Sequence, residues 1–292
     1  MSITIDSLLG LLGGLDGAKV YERSAAAAEG TACAIVRTGL DKRLAVAGDR
    51  AADFCGEQAG GVKLCPLSVE NAQALQALFP FTRPHSHAGH AFTMGLGDRL
   101  GLATPGHVRA IAGQDVYPVL AQQSIRELTL TNRTFADVIA AAAFGVFQEG
   151  YRGGYGADGD HLKTKEEIKY ALESGCTMIT LDCSEHIDIH AAALSDAQVE
   201  AAYAALPADV RAHYEAEYLG RALPIVGELT AAQLRRIVLV FYRAVRHAES
   251  CYRYIDEIRT ADVDFELSID ETRTITTPAE HFIVAQELAR QG

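Results

Sequence analysis

The segment from Gly156 to Ser184 constrains this chain more than any other. Gly156-Ala-Asp158-Gly-Asp160-His161 reads as the end of a strand. Cys176-Thr-Met-Ile-Thr-Leu181 reads as a second strand, β-branched and apolar as one buried on both faces must be. Between them Thr164 and Glu167 form a T-x-x-E capping box, Glu166 and Glu167 suit the positive first turn of a helix, and Gly175 supplies a left-handed stop. A strand–helix–strand unit of this kind crosses over right-handedly, so both strand ends face one way. Asp158, Asp160, His161, Asp182 and Ser184 are therefore expected on one rim, the carboxyl-end rim where α/β architectures place their chemistry.

The same alternation continues on either side. Strands are expected near 91–95, 116–121, 151–156, 176–182 and 263–269, with a helix over 135–149 capped by Thr134 and Asp137 and stopped by Gly150. That order implies a parallel sheet or barrel. Residues 1–90 read as a small N-terminal α/β prelude: an opening helix, strands near Arg43–Ala47 and Val62–Pro66, and a helix over Val69–Leu78 with Ser68 and Asn71 at its cap. Pro80, Pro84 and a His-rich loop at 82–90 mark the boundary. Residues 91–292 then form a TIM-type (β/α) barrel portion, with a helical insertion at about 187–260 holding helices near 196–205, 208–219 and 231–258. An insertion of that length placed over the rim suits a lid or a homo-oligomer contact. Thr277-Pro278 opens a last helix. About five strands are present where a closed barrel needs eight, so the expectation is an open sheet or a piece of something longer.

Bulk properties narrow the chemistry. The 292 residues carry a net charge of −12, which argues against a nucleic-acid footprint, since that needs a basic face. An anionic substrate would need local Arg or Lys to overcome this field. Six cysteines show no C-x-x-C spacing and several sit in apolar runs, so reduced thiols in a cytoplasmic protein are expected. The opening residues lack a cationic start and a cleavage site, and no stretch of 18 apolar residues exists, so neither a signal peptide nor a membrane span is expected.

Several motifs carry candidate chemistry. In Asp158-Gly-Asp160-His161 a carboxylate beside an imidazole can hold a divalent metal through one and move a proton with the other. The bland alternative, acids capping the next helix, is weakened because Thr164 already caps it. Asp182 stands where barrel enzymes carry catalytic or substrate-binding groups, while Glu185 and His186 can equally face solvent. From Val263 to Glu271 the pattern has period two, with Phe265, Leu267 and Ile269 on one face and Glu266, Ser268 and Asp270 on the other. On a barrel's inward face Glu266 becomes a second acid/base candidate. Gly95-x-Gly97-x-x-x-Gly101 is weak as a dinucleotide loop, and Asp115 precedes the next strand rather than ending it. A tight turn that brings Asp98 or Arg99 to the rim is the preferred reading, Arg99 forking onto a carboxylate. His85-x-His87 would suit a metal-dependent barrel hydrolase, but Phe81-Thr-Arg-Pro84 before it reads as loop.

Met94-Gly-Leu-Gly-Asp-Arg-Leu-Gly-Leu-Ala-Thr-Pro-Gly-His107, Thr131-Asn-Arg-Thr-Phe135, Gly153-Gly-Tyr-Gly-Ala-Asp-Gly-Asp-His-Leu-Lys-Thr164 and Thr180-Leu-Asp-Cys-Ser-Glu-His186 closely resemble the bacterial tagaturonate epimerase family. The likeness runs from about residue 30 onward. It implies a barrel enzyme that depends on a divalent metal cation and interconverts D-tagaturonate and D-fructuronate, small keto-sugar acids, in hexuronate breakdown. Carried over by position, the resemblance implies Asp160 as proton acceptor, His161 as a metal ligand and Glu266 as proton donor. It also implies further metal-ligating histidines from strands later than Gly292, which makes an inactive fragment a third reading beside epimerase and hydrolase. The two uronates differ at a hydroxyl-bearing carbon two bonds from the ketone, which simple enolisation cannot invert. A retro-aldol cleavage and re-addition can.

Overall fold

A computed structural model describes residues 3–269 and 275–291. The chain opens with helix α1 (Ile5–Gly13), capped by the Thr4 side chain, which accepts from the Ser7 amide. Six short strands follow: β1 (Ala18–Val20), β2 (Ala26–Ala28), β3 (Thr31–Thr38), β4 (Asp41–Gly48), β5 (Glu57–Ala59) and β6 (Val62–Cys65). They pair antiparallel in the order β1-β3-β4-β6-β5, with β2 also on β3. The expected strands near 43–47 and 62–66 correspond to β4 and β6. The other four are a correction to the sequence reading.

The reason is visible in β3. Thr38 pairs with Asp41, leaving Gly39 and Leu40 as a two-residue hairpin loop in which Gly39 holds φ 63°. Along β3 the side chains alternate between two apolar layers: Ala32, Ala34 and Val36 pack with Leu8 and Leu12 of α1, whereas Cys33 and Ile35 pack on the other side. That second layer also takes Leu75 of helix α2 (Val69–Leu78), capped by Ser68 as expected. With both faces covered, the strand shows no polar alternation to betray it.

The second sheet is built from β7 (Thr93–Gly95), β8 (Tyr117–Ser124), β9 (Gly156–Leu162), β10 (Met178–Asp182) and β11 (Asp264–Ser268), in the order β11-β10-β9-β8-β7. The β7–β8 and β8–β9 pairs are parallel. Four of the five strands lie where the sequence reading puts them. The fifth does not: the strand expected at 151–156 runs instead from Gly156 to Leu162. Gly153 and Gly154, the latter at φ 82°, bend the chain ahead of it, and the Gly-Ala-Asp-Gly-Asp run expected at the end of a strand is its body. Gly and Asp are depleted in strands, which is why composition misleads here.

Helices α3 (Thr104–Ala110), α4 (Ile125–Thr131) and α5 (Phe135–Glu149) lie between β7 and β9 in the chain, and α6 (Lys165–Glu173) joins β9 to β10. The boxes expected at Thr134 and Thr164 form: Thr134 Oγ1 accepts from the Asp137 amide and Thr164 Oγ1 from the Glu167 amide, each at 3.2 Å. Gly150 ends α5 at φ 61°. Between β10 and β11 come α7 (Asp196–Ala204), α8 (Ala208–Tyr218) and α9 (Ala231–Ile258), matching the helices expected there. The last helix, α10 (Pro278–Arg290), is capped by Thr277. The architecture is mixed α/β, with ten α-helices among the described residues.

Two compact units emerge. One comprises the chain up to Asp160 with Lys169–Ile179 and Thr260–Asp264; the other comprises His161–Ile168, Thr180–Arg259 and the chain from Phe265. In the first, Phe144 and Phe147 of α5 join Ile35, Leu44 and Leu75 in one core. In the second, α9 buries Leu234, Ile237, Val238, Phe241, Ala244, Val245, Ala248, Cys251 and Ile255, a stripe at three- and four-residue spacing. All six cysteines are free thiols. Among the described residues no helix is long and apolar enough to cross a membrane.

Candidate active site

In the first unit the chemistry stands on two neighbouring strands. Gln122 and Ser124 of β8 are register partners of Asp158 and Asp160 of β9. Partners in a parallel pair project from the same face, so these four side chains form two polar layers. In the lower one Gln122 Nε2 donates to Asp158 Oδ2 at 3.1 Å. Asp158 is 1% exposed and Asp160 8%. Buried carboxylates are costly without donors, so both must be held by hydrogen bonds or ion pairs.

Ser124 also begins α4. Its amide and hydroxyl both donate to Glu127 Oε2, at 2.8 and 2.6 Å, and the Glu127 amide returns a bond to its hydroxyl. The other carboxylate oxygen of Glu127 lies 3.3 Å from Arg99 Nε. Burial works to raise the Glu127 pKa, but the Ser124 bonds and the Arg99 cation outweigh it and bring it down to about 2. Glu127 is thus a permanent anion that fixes the Arg99 guanidinium. Asp98, expected at the rim, acts locally, its carboxylate accepting from the amides of Leu100, Leu102, Ala103 and Thr104. Burial raises Asp98, yet these four amides prevail and hold it below its usual range. It ties down the turn after the glycine run and starts α3.

The second unit holds His161, Lys163, Asp182, Ser184 and Glu266. His161 sits within a strand at φ 54°, in the left-handed region that a non-glycine residue enters at a cost of about 1 kcal/mol or more. Strain of this kind persists where the surroundings enforce it, and it gathers at functional positions. His161 and Glu266 line one cavity of about 570 Å³ together with Ser268, Thr277 and His281. Beside them in sequence, Lys163 Nζ reaches Asp182 Oδ2 at 3.5 Å and Glu185 Oε1 at 3.0 Å. The Glu185 bond above all raises the Lys163 pKa, so the ammonium stays charged. Asp182, 2% exposed, also accepts the Ser184 amide at 2.8 Å. The His186 ring stacks on His247 at 3.8 Å, and its pKa is lowered by burial first and then by His247 and Arg243.

Two sequence readings resolve differently. The loop bearing His85 and His87 is irregular, and Ser86 Oγ and the His87 amide both donate to Asp264, each at 2.7 Å. The loop reading of that motif therefore stands. Asp270 and Glu271, the last acids of the period-two run, lie outside the described residues. Among the described residues no group of three or more His, Cys, Asp or Glu side chains converges as a metal ion would need. These residues alone do not compose a closed metal centre.

Sequence reasoning passes over Gln122, Ser124, Glu127 and Lys163. Ser124-Ile-Arg-Glu127 is itself an S-x-x-E box at the end of a strand, so that signal is present. Gln122 has no such signal, because its meaning rests on register with Asp158.

Comparison with known proteins places the geometry in context. Residues 21–292 match the profile of a family described as UxaE: tagaturonate epimerase. The chain is 37% identical over 285 residues to the tagaturonate/fructuronate epimerase of Thermotoga maritima, covering 94% of this chain and 58% of that protein. It superposes with TM-score 0.92 and 46% identity on a glycerol-complexed crystal structure of the fructuronate-tagaturonate epimerase UxaE from Cohnella laeviribosi, covering 98% of this chain and 59% of that one. The native crystal structure of the same enzyme gives TM-score 0.91 with the same identity and coverage. The chain thus spans about three fifths of the length of these relatives. A match over nearly all of its own residues shows that the chain belongs to the UxaE tagaturonate epimerase family.

Proposed function

We propose that the protein interconverts D-tagaturonate and D-fructuronate, as an isomerase of hexuronate breakdown in the cytoplasm, and that the whole protein completes a TIM-type barrel around the sheet described above. The observation that carries the reading is the polar burial on β9: Asp158 and Asp160 are almost fully buried, and His161 beside them is strained, within a family named for this reaction. A strand bearing two buried carboxylates costs stability and is retained where chemistry needs it.

In this proposal Asp160 takes the proton from the hydroxyl two bonds from the ketone. The bond between that carbon and its neighbour on the ketone side then breaks, its electron pair passing to the ketone as an enolate and leaving the hydroxyl-bearing carbon as an aldehyde. Rotation of the aldehyde presents its other face, the bond re-forms, and Glu266 returns a proton to the new alkoxide. Arg99, fixed by Glu127, supplies a fork for the substrate carboxylate against the net charge of −12. Asp158, Asp182 and Ser184 order the sugar hydroxyls, and Asp98 keeps the Arg99 turn in place. A divalent cation, with His161 as one of its ligands, would supply positive charge to an enolate oxygen when bound.

The test is an incubation of purified full-length protein with D-tagaturonate in deuterated water. D-Fructuronate should appear with no deuterium at any carbon and no copurifying nicotinamide, and chelation should suppress turnover. Absence of interconversion would overturn the assignment. Stoichiometric bound NAD would overturn the retro-aldol route in favour of transient oxidation.

A further inference from the structure

The glycine run that begins at the end of β7 finds a use that no dinucleotide reading supplies. A side chain built at Gly95 would place its Cβ 2.9 Å from Gln122 Oε1 and 3.3 Å from Nε2, and the three nearest atoms all belong to the Gln122 amide. At Gly97 a Cβ would meet the backbone oxygen and Oε1 of Gln122, both at 3.4 Å. Bare backbone at the end of β7 and just beyond it therefore makes the space in which this amide lies. From that space Gln122 Nε2 donates to Asp158 Oδ2 at 3.1 Å, on the face where Ser124 and Asp160 form the next layer.

We infer that Gly95 and Gln122 form a positioning device for the epimerase site: the missing side chain at Gly95 seats the Gln122 amide, and the amide fixes the Asp158 carboxylate that underlies Asp160. Gln122 acts through Asp158 and is a positioning residue. The inference rests on the function proposed above and deepens it.

The geometry supplies a discriminating variant. The atoms that a methyl group at Gly95 would strike are the far end of a flexible side chain, so Gly95→Ala is accommodated by swinging the Gln122 amide away, with the melting temperature nearly unchanged. The swing breaks the bond to Asp158. In full-length protein, Gly95→Ala is expected to lower kcat by about 10- to 100-fold, the loss typical of removing a partner that orients a reacting group, with KM changed less than kcat. Gln122→Ala should cost a similar factor. Combined, the two should cost no more than either alone, because the methyl group then has nothing to displace.

Gln122→Glu keeps the size and sets a second carboxyl group against Asp158. It withdraws the donor that Asp158 accepts from, so kcat should fall as in Gln122→Ala, with KM changed less than kcat. A merely structural glutamine, replaced at equal size, would leave kcat in place. Multiplicative losses in the double variant, or unchanged kcat in Gly95→Ala, would overturn the inference. The wild type separates the two proposals: an inactive wild type sinks the proposed function itself, whereas an active wild type with insensitive variants sinks only the positioning role.

Discussion

Strands β3 and β9 are buried to nearly the same degree and made of opposite chemistry. From Thr31 to Val36 every residue of β3 is buried, and all but Thr31 are Ala, Cys, Ile or Val. From Gly156 to Asp160 every residue of β9 is buried too, and the run is Gly-Ala-Asp-Gly-Asp. Desolvation penalises a carboxylate and rewards an isoleucine, so equal burial signals different purposes. The first strand exists to hold two apolar layers together. The second tolerates a penalty, offset by the rest of the fold, to put carboxylates where water is scarce and their hydrogen bonds are strong.

Substitution should separate the two purposes. Asp160→Asn is expected to reduce epimerisation by about 10³-fold, within the range for loss of a general base and equivalent to about 4 kcal/mol of barrier, with the melting temperature held or raised. Steady-state turnover and calorimetry on one preparation would measure both. A variant that unfolds while its folded fraction stays active would make β9 a structural strand like β3. Ile35→Ala, at a residue 1% exposed, should do the reverse: about 3 kcal/mol of stability lost to the cavity, with kcat per folded molecule unchanged. Denaturant titration reads the first and active-site-normalised turnover the second.

The two strands are also unequally legible in the sequence. Helices declare themselves through chemistry confined to a few neighbouring residues, such as Thr134 with Asp137 and Thr164 with Glu167, and those caps form. The strand β3 gives no period because both its faces are covered, so its register with β4 has to come from the fold. On β9 the residue types Asp and His point to chemistry, yet the same residues argue against a strand and set its expected boundary too early. Polar partners separated in sequence are the hardest. Glu127 with Arg99 spans 28 positions and joins the start of α4 to the turn after β7, whereas Gln122 with Asp158 spans 36 and meets only through the parallel pairing of β8 and β9.

Glu127 offers a test at smaller scale. Its carboxyl is brought from an ordinary 4.5 to about 2 in the folded chain, so the stability it contributes is complete above about pH 4.5 and is lost as pH falls towards 2. Glu127→Gln should flatten that limb of the stability curve. It should also free Arg99 and raise KM for the uronate about tenfold, leaving kcat nearly intact. If KM holds while kcat collapses, Glu127 belongs with the reacting groups and not with substrate capture.

The finest discrimination comes from the residues that end each strand. Gly39 closes β3 in its hairpin at φ 63°, and an alanine there must adopt the left-handed region at a cost of about 1 kcal/mol. Thr164 follows β9 as the cap of α6, where alanine would leave the Glu167 amide without its acceptor, again at about 1 kcal/mol. The Glu167 carboxylate also accepts the Lys163 amide at 2.7 Å and the Thr164 amide at 3.1 Å, so the box holds the backbone two residues beyond His161. Two variants of equal thermodynamic cost should therefore differ in activity. Gly39→Ala should leave turnover within error of wild type, because its loss is absorbed by a hairpin that carries no chemistry. Thr164→Ala should lower turnover about threefold, since fraying of the first turn of α6 loosens Lys163 and the strained His161 beside it. Matched melting curves with unmatched rates would place the distinction in what each strand is for; matched rates as well would mean that the end of β9 is as passive as that of β3.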